Sequence, residues 1–204
     1  MSLAALLALA YLLGSIPTGL ILARIKGIDI RKSGSGNIGF TNVMRVAGKD
    51  RSGKIIGLLT LAGDMGKGAL AIRLALHQGS EWAPALAGLS VFLGHIFSFW
   101  LRGKGGKGVA TGLGISLGIN PALGALVCLP WALIFALTRT SSMASLGSFA
   151  LMPLTALLWQ RLLPSPENAL PKHTLLLFTL MTLLVFFRHK DNISRIRKGE
   201  ESKI

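Results

Sequence analysis

Long apolar runs separated by short polar stretches dominate the chain. A helix that crosses ~30 Å of hydrocarbon needs ~20 mostly apolar residues, and Leu3–Ala23 supplies them without a single charge. No Lys or Arg precedes that run and no small-residue cleavage pattern follows it, so it reads as a first span rather than a signal peptide. The same test marks Ile55–Leu76, Ala83–Leu101, Ala122–Leu137, Ala144–Leu162 and Thr174–Phe187. Val109–Ile119 is apolar but about half a span long, which fits a short helix, a re-entrant segment or a crossing widened by its neighbours. Counted as a crossing, it gives about seven transmembrane helices. The expectation is an all-α, polytopic integral membrane protein. Residues 1–204 show no internal repeat, linker or insertion of soluble-domain size, so they read as a single transmembrane domain.

Charge then sets the orientation. With the N-terminus outside, the inward segments are Arg24–Lys54, Arg102–Lys107, Thr138–Met143 and the tail from Arg188. They hold 18 of the 22 Lys and Arg residues, against only Arg161 and Lys172 at the external ends. That excess places the polar segments and the C-terminus in the cytoplasm. A net charge of +14 with only 15% charged residues, 51% apolar residues and a mean hydropathy of +0.58 excludes a disordered polycation. It also argues against a nucleic-acid-binding domain. The lone Cys128 offers neither a disulfide nor a cysteine-based metal site and is expected to pack or face lipid.

Three polar clusters fall on the inward face. The first is Ser33–Arg45, where Gly34, Gly36 and Gly39 let backbone N–H groups approach an anion. Ser35, Asn37, Thr41 and Asn42 add neutral donors, and Arg45 adds a guanidinium fork suited to phosphate. If Thr41–Val46 opens a helix, its N-terminus points at the same anion. The GxGxxG spacing at 34–39 follows no strand and belongs to no βαβ unit, which rejects a dinucleotide site. The second cluster, Arg102–Gly108, sets Lys104 and Lys107 among four glycines ahead of the short apolar segment and lacks the Walker A pattern. The third is Arg188–Arg195, where His189 and Asn192 share a face if the last helix continues. Composition alone also allows a flexible connecting loop, a snorkelling basic loop and a lipid-binding amphipathic tail, respectively.

Smaller signals lie in the spans. Asp64 and Lys67 stand at i, i+3 inside the second span, as a functional pair or a mutual ion pair. His95 is expected to hydrogen-bond a neighbouring helix, Ser141, Ser142 and Ser145 to cap the sixth span, and His77 and His173 to be solvated at the outer boundary. HExxH, GxSxG, an inner-face carboxylate cluster for Mg²⁺ and the HxxxxD dyad of common glycerolipid acyltransferases are all missing. A phosphate site without metal ligands fits a phosphorylated substrate better than a kinase or ATPase. A transporter of phosphate or an organophosphate is the alternative, although such a protein should show paired half-repeats and binding groups at the midplane.

The segments GSGNIGFTNVMR at 34–45, GHIFSFWLRGKGGKGVATGLG at 94–114 and RHKDNISRIRKGEE at 188–201 resemble the acyl-phosphate:glycerol-3-phosphate acyltransferase family, the PlsY type. GSIPTGLILAR at 14–24, Asp64…Lys67-Gly68 and TRTSSMAS at 138–145 extend the resemblance over nearly the whole chain. It implies a bacterial inner-membrane protein with its active site facing the cytoplasm. The implied reaction transfers an acyl chain from acyl phosphate to the 1-hydroxyl of glycerol 3-phosphate, giving lysophosphatidic acid and inorganic phosphate in phospholipid biosynthesis. Neither a metal nor an organic cofactor is implied. The implied partners are the two substrates, membrane lipid and, transiently, the soluble enzyme that makes acyl phosphate; nucleic acid is not among them. By motif, Ser35, Asn37, Thr41, Asn42 and Arg45 form one phosphate-binding wall, Lys104 and Lys107 a second, with Ser142, His189 and Asn192 completing the site. Phe40 replaces the small residue of GATN, Ser98 the Pro of GHxFP, and Lys190-Asp191 a common Arg-Glu. Of these, Phe40 bears on acyl-chain packing.

Overall fold

A computed structural model describes residues 1–48 and 50–203. Every regular element among them is helical: α1 Leu3–Ser15, α2 Thr18–Ile25, α3 Phe40–Ala47, α4 Arg51–Leu76, α5 Ala83–Ile96, α6 Val109–Ile119, α7 Pro121–Thr138, α8 Ser141–Leu162, α9 Thr174–Arg188 and α10 Lys190–Arg197. Short 3₁₀ turns occupy Phe99–Leu101 and Pro166–Asn168. Five stretches are long and apolar enough to cross a membrane: Leu3–Ile25, Arg51–Leu76, Ala83–Leu101, Pro121–Thr138 and Ser141–Leu162. Val109–Ile119 and Thr174–Arg188 are shorter apolar helices. Together they are the segments that the apolar pattern marks.

The first apolar run is two helices rather than one. Pro17 lacks an N–H and disfavours helical backbone at Ile16, which sits at φ −60°, ψ 115°. Backbone groups freed by the break find side-chain partners on other helices, as a membrane interior demands. Ser98 Oγ donates to Ser15 O at 2.6 Å and Lys67 Nζ to Ile16 O at 3.1 Å, while the Ser15 hydroxyl in turn accepts from Phe99 N at 3.2 Å. The break is therefore tied both to α4 and to the point where α5 ends.

Helix α4 is central, packing on α1, α2, α3, α5 and α6. It starts at Arg51 because Asp50 caps it, accepting from Gly53 N at 2.7 Å. Small residues bring it into backbone contact with α6: a Cβ on Gly114 would lie 1.9 Å from Met65 O, and one on Gly68 2.3 Å from Thr111 O. Phe92, Ile115, Phe149, Phe178 and Met181 fill the space among α5, α6, α8 and α9. With 11 residues, α6 covers only about 16 Å. The loop Arg102–Gly108 precedes it, and the first residues of α6 line a cavity.

Two expectations from sequence are corrected. Helix α8 has no side-chain N-cap: Ser141 and Ser142 are already helical, and Ser145 Oγ donates to Ser141 O at 2.7 Å. His173 is not solvated but stacks on Trp82 with ring centroids 3.4 Å apart, its Nε2 buried without a partner. Beside it Lys172 pairs with Glu81 at 2.7 Å, joining the approaches to α5 and α9.

Candidate active site

In the first cluster the loop ahead of α3 is held by one side chain. Asn42 Oδ1 accepts from Ser35 N at 2.8 Å, while Nδ2 donates to Ile30 O at 3.0 Å and Ser33 O at 3.1 Å. Gly34 can turn there because its φ is +61° and a Cβ would meet Asn42 Oδ1 at 2.3 Å. Asn42 thus shapes the loop with its own amide, while Ser35, Asn37, Thr41 and Arg45 line the cavity with it. Gly39 is the N-cap of α3, so the expected helix start is present. Thr41 Oγ1 meets Ser141 Oγ at 2.9 Å and joins α3 to α8. Arg45 makes no salt bridge among the described residues. Phe40 lines the same cavity.

The second cluster is moulded on α5 and the end of α9. Gly105 N and Gly106 N donate to Ile96 O and His95 O at 3.1 and 3.0 Å, and Arg188 grips Gly105 O and Gly106 O at 3.2 and 3.3 Å. A Cβ on Gly106 would lie 2.3 Å from His95 Nε2, so only glycine fits. The imidazole is held in turn, its Nδ1 3.1 Å from Thr111 Oγ1 of α6, which is the expected link to a neighbouring helix. The loop delivers Lys107 into the cavity, where Nζ donates to Asn192 Oδ1 at 2.5 Å. Lys104 faces elsewhere, into an adjoining basic recess shared with Arg31 and Arg188.

In the third cluster α9 ends at Arg188 and α10 begins at Lys190, leaving His189 at the junction. His189 Nδ1 lies 2.8 Å from Val185 O. A carbonyl can only accept, so Nδ1 carries the proton and a neutral His189 offers Nε2 as an acceptor. Asn192 and Ser142 are both buried and both donate to Glu201 Oε1, at 2.6 and 2.7 Å. Arg195 Nε donates to Glu201 Oε2 at 2.7 Å.

Nine of the ten residues proposed from sequence therefore line one cavity of about 1240 Å³, mouth included; Lys104 is the tenth. Opposite the polar groups, Leu61, Met65, Val109, Leu113, Cys128 and Trp131 give it an apolar wall. Sequence reasoning assigned no role to Glu201, although it closes the 188–201 segment; its partner Ser142 lies 59 residues earlier under no spacing rule. Asp64 and His95 were noticed without being placed, and both reach this wall. Asp64 accepts from Lys67 at 2.8 Å, the mutual ion pair. Among the described residues, no group of three or more His, Cys, Asp or Glu is placed to hold a metal ion.

Burial dominates the electrostatics. It pushes the Lys107 ammonium down to about 8, with Glu201 opposing the shift. It also pushes His189 down to about 4, with the Lys107 charge acting in the same direction. The hydrogen bonds from Ser142, Asn192 and Arg195 hold Glu201 below the usual carboxylate range although burial raises it.

A cavity that is cationic and hydroxyl-lined on one side and apolar on the other, set in an all-helical membrane fold, suits a phosphorylated, lipid-like compound. A family model for glycerol-3-phosphate acyltransferases matches residues 4–199. The chain belongs to that family. It is 46% identical over 197 residues to a glycerol-3-phosphate acyltransferase of Jannaschia sp. (strain CCS1), covering 96% of this chain and 90% of the relative. The Rhodospirillum rubrum protein of the same description is 44% identical over 203 residues, covering 95% and 87%. Two crystal structures of PlsY, an integral membrane glycerol 3-phosphate acyltransferase, are similar at 33% identity, covering 100% of this chain and 96% of theirs. The glycerol 3-phosphate form gives a TM-score of 0.88 and the lysophosphatidic acid form 0.84. The protein is thus a multi-pass membrane acyltransferase acting on glycerol 3-phosphate. None of these relatives supports the transporter alternative.

Proposed function

We propose that this chain takes its acyl group from acyl phosphate and works at the cytoplasmic face of a bacterial inner membrane. The observation that carries the reading is the meeting, at one cavity, of Arg45, Lys107, Ser142, His189 and Asn192 from four distant stretches. Two anionic substrates repel each other, and a cavity walled by Arg45, Lys107 and Arg195 offsets that repulsion. The start of α6 at Gly108 brings its N-terminus to the same wall, and Ser35, Asn37 and Thr41 add side-chain donors there. In this reading they stabilise charge on the leaving phosphate and the carbonyl oxygen, while the apolar wall between α4, α6 and α7 receives the acyl chain. Holding the glycerol hydroxyl beside the carbonyl makes its attack effectively intramolecular. Residues 1–204 act as one unit, and the basic excess of the inward segments supports both the cytoplasmic site and about seven crossings. That surface also suits transient contact with a soluble enzyme that makes acyl phosphate.

The hydroxyl proton goes to phosphate rather than to protein. A group at about 4, as His189 is, makes a weak base, and a phosphate with a second pKa of about 6 is the stronger acceptor. His189 Nε2 then serves to orient the hydroxyl by accepting from it. Purified protein given long-chain acyl phosphate and glycerol 3-phosphate, without metal or thioester, should form lysophosphatidic acid and inorganic phosphate in equal amounts. Product that appears only with acyl-CoA or an acyl-carrier thioester would overturn the donor assignment. Cysteines placed at the exposed Lys32 and at Gln78 should label from opposite sides of sealed inner-membrane vesicles.

A further inference from the structure

Glu201 belongs to the tail beyond α10, which Gly199 turns back at φ +72°. Its side chain is nevertheless only 11% exposed, and both carboxylate oxygens are engaged. We propose that Glu201 is a positioning residue for the acyl transfer: its carboxylate fixes the Ser142 hydroxyl and the Asn192 amide and, through that amide, the Lys107 ammonium. The proposal rests on the site described above and adds a residue that sets its geometry.

The case begins with the Asn192 amide. Its Oδ1 faces Lys107 Nζ, which can only donate, and its Nδ2 faces Glu201 Oε1, which as a carboxylate can only accept. The opposite amide orientation would set donor against donor and acceptor against acceptor, so Glu201 and Lys107 together permit one orientation. Ser142 is committed in the same way, its proton directed to Oε1. This leaves the hydroxyl oxygen's lone pairs, rather than its proton, available elsewhere. Arg195, 43% exposed at its side chain, holds the second oxygen and keeps the carboxylate from rotating.

The charge of Glu201 matters as well as its shape. Lys107 sits in a buried wall, and Glu201 is the chief group holding its proton against desolvation. Asp191 acts in the same direction, while Arg195 and Arg188 oppose both, and the neighbouring His189 is neutral above about 4. Without the carboxylate, Lys107 would face two guanidinium groups and only the more distant aid of Asp191. A carboxylate that merely filled a phosphate subsite would make the opposite prediction, because removing it would free Ser142 and Asn192 for substrate.

Steady-state kinetics of the purified full-length protein separate the two. Glu201→Gln keeps the shape and removes the charge; kcat/KM for glycerol 3-phosphate should fall at least about tenfold, and the alkaline limb of its pH profile should move down by about one unit. Glu201→Asp keeps the charge and shortens the reach; kcat/KM should fall by about the same factor with the alkaline limb unmoved. Wild-type or higher activity in Glu201→Gln, or an unmoved limb, would overturn the proposal. So would a loss confined to melting temperature and active fraction. If neither variant folds, carbodiimide labelling of the wild type read by mass spectrometry decides. Positioning requires Glu201 to stay as protected with glycerol 3-phosphate bound as without it, and increased labelling refutes it. An inactive wild type in the acyl phosphate assay would instead sink the donor assignment.

Discussion

At Lys107, burial and phosphate recognition pull in opposite directions. Desolvation favours the neutral amine and leaves its pKa at about 8, yet only the ammonium can neutralise a phosphate. Protonation is complete well below pH 8 and is lost as pH rises through it, so kcat/KM should be flat near pH 6–7 and decline above about 8. Lys107→Arg tests this directly. The guanidinium stays charged at all working pH values, so the variant should lose the alkaline limb even where its rate at pH 7 is lower. For His189, expected as a hydroxyl acceptor, Glu or Asp would bring a charge, whereas Gln retains an acceptor. His189→Gln should keep kcat within about tenfold of wild type, whereas removal of a true general base costs about 10²–10⁴. A loss near 10³ with KM unchanged would make His189 the base. At this scale the sequence was informative where residue type and glycine spacing coincide, as at Ser35, Arg45 and Lys107. Glu201 closes the 188–201 segment that carries the resemblance, yet its role was not legible there, because only the fold returns its carboxylate to Ser142 and Asn192.

Helices α4 and α6 meet by backbone approach rather than by large interlocking side chains. Where a Cβ on Gly114 would stand 1.9 Å from the Met65 carbonyl, neither partner can swing aside, since both are helical backbone. Gly114→Ala should therefore destabilise the protein by about 1–3 kcal/mol, read as a lower melting temperature in detergent. Gly66→Ala in the same helix α4 meets nothing within 4 Å and should leave that temperature unchanged or raise it. Equal losses in the two would show that helix flexibility, not the α4–α6 contact, is what matters. The length and apolarity of α4, α7 and α8 were legible because 18 to 26 consecutive residues report the same environment. Pro17 is plain in the letters, but the break it makes was not read from them, and Leu3–Ala23 reads there as one span. Whether a proline kinks a helix or divides it depends on which groups donate to the freed carbonyls, here Ser98 and Lys67 from elsewhere in the chain. The serines at the start of α8 misled for a related reason. They look like caps, yet in place they bond Thr41 and Glu201.

Across the whole molecule, most of the positive charge lies on the segments that build the cavity. Arg24–Lys54, Arg102–Lys107 and the tail from Arg188 hold 17 of the 22 Lys and Arg residues. This asymmetry was readable from the sequence because it is a sum over many positions and survives errors at any one of them. The cavity itself was not, because its walls come from residues as far apart as Ser35 and Glu201. The two scales of charge make separable contributions to rate. Lys107 and Arg45 act at contact distance in a partly desolvated wall, where added salt screens little. The remaining basic residues act through water on an approaching dianion, and their field shrinks with a Debye length that falls from ~10 Å at 0.1 M salt to ~3 Å at 1 M. Raising NaCl from 0.05 to 1 M should therefore lower kcat/KM for glycerol 3-phosphate by about tenfold, within the range of electrostatic steering. kcat at saturating substrate should change much less. A salt-independent kcat/KM would show that the contact residues alone recruit the substrate. An equal fall in kcat would show that the distant charges also act on the bound, reacting complex.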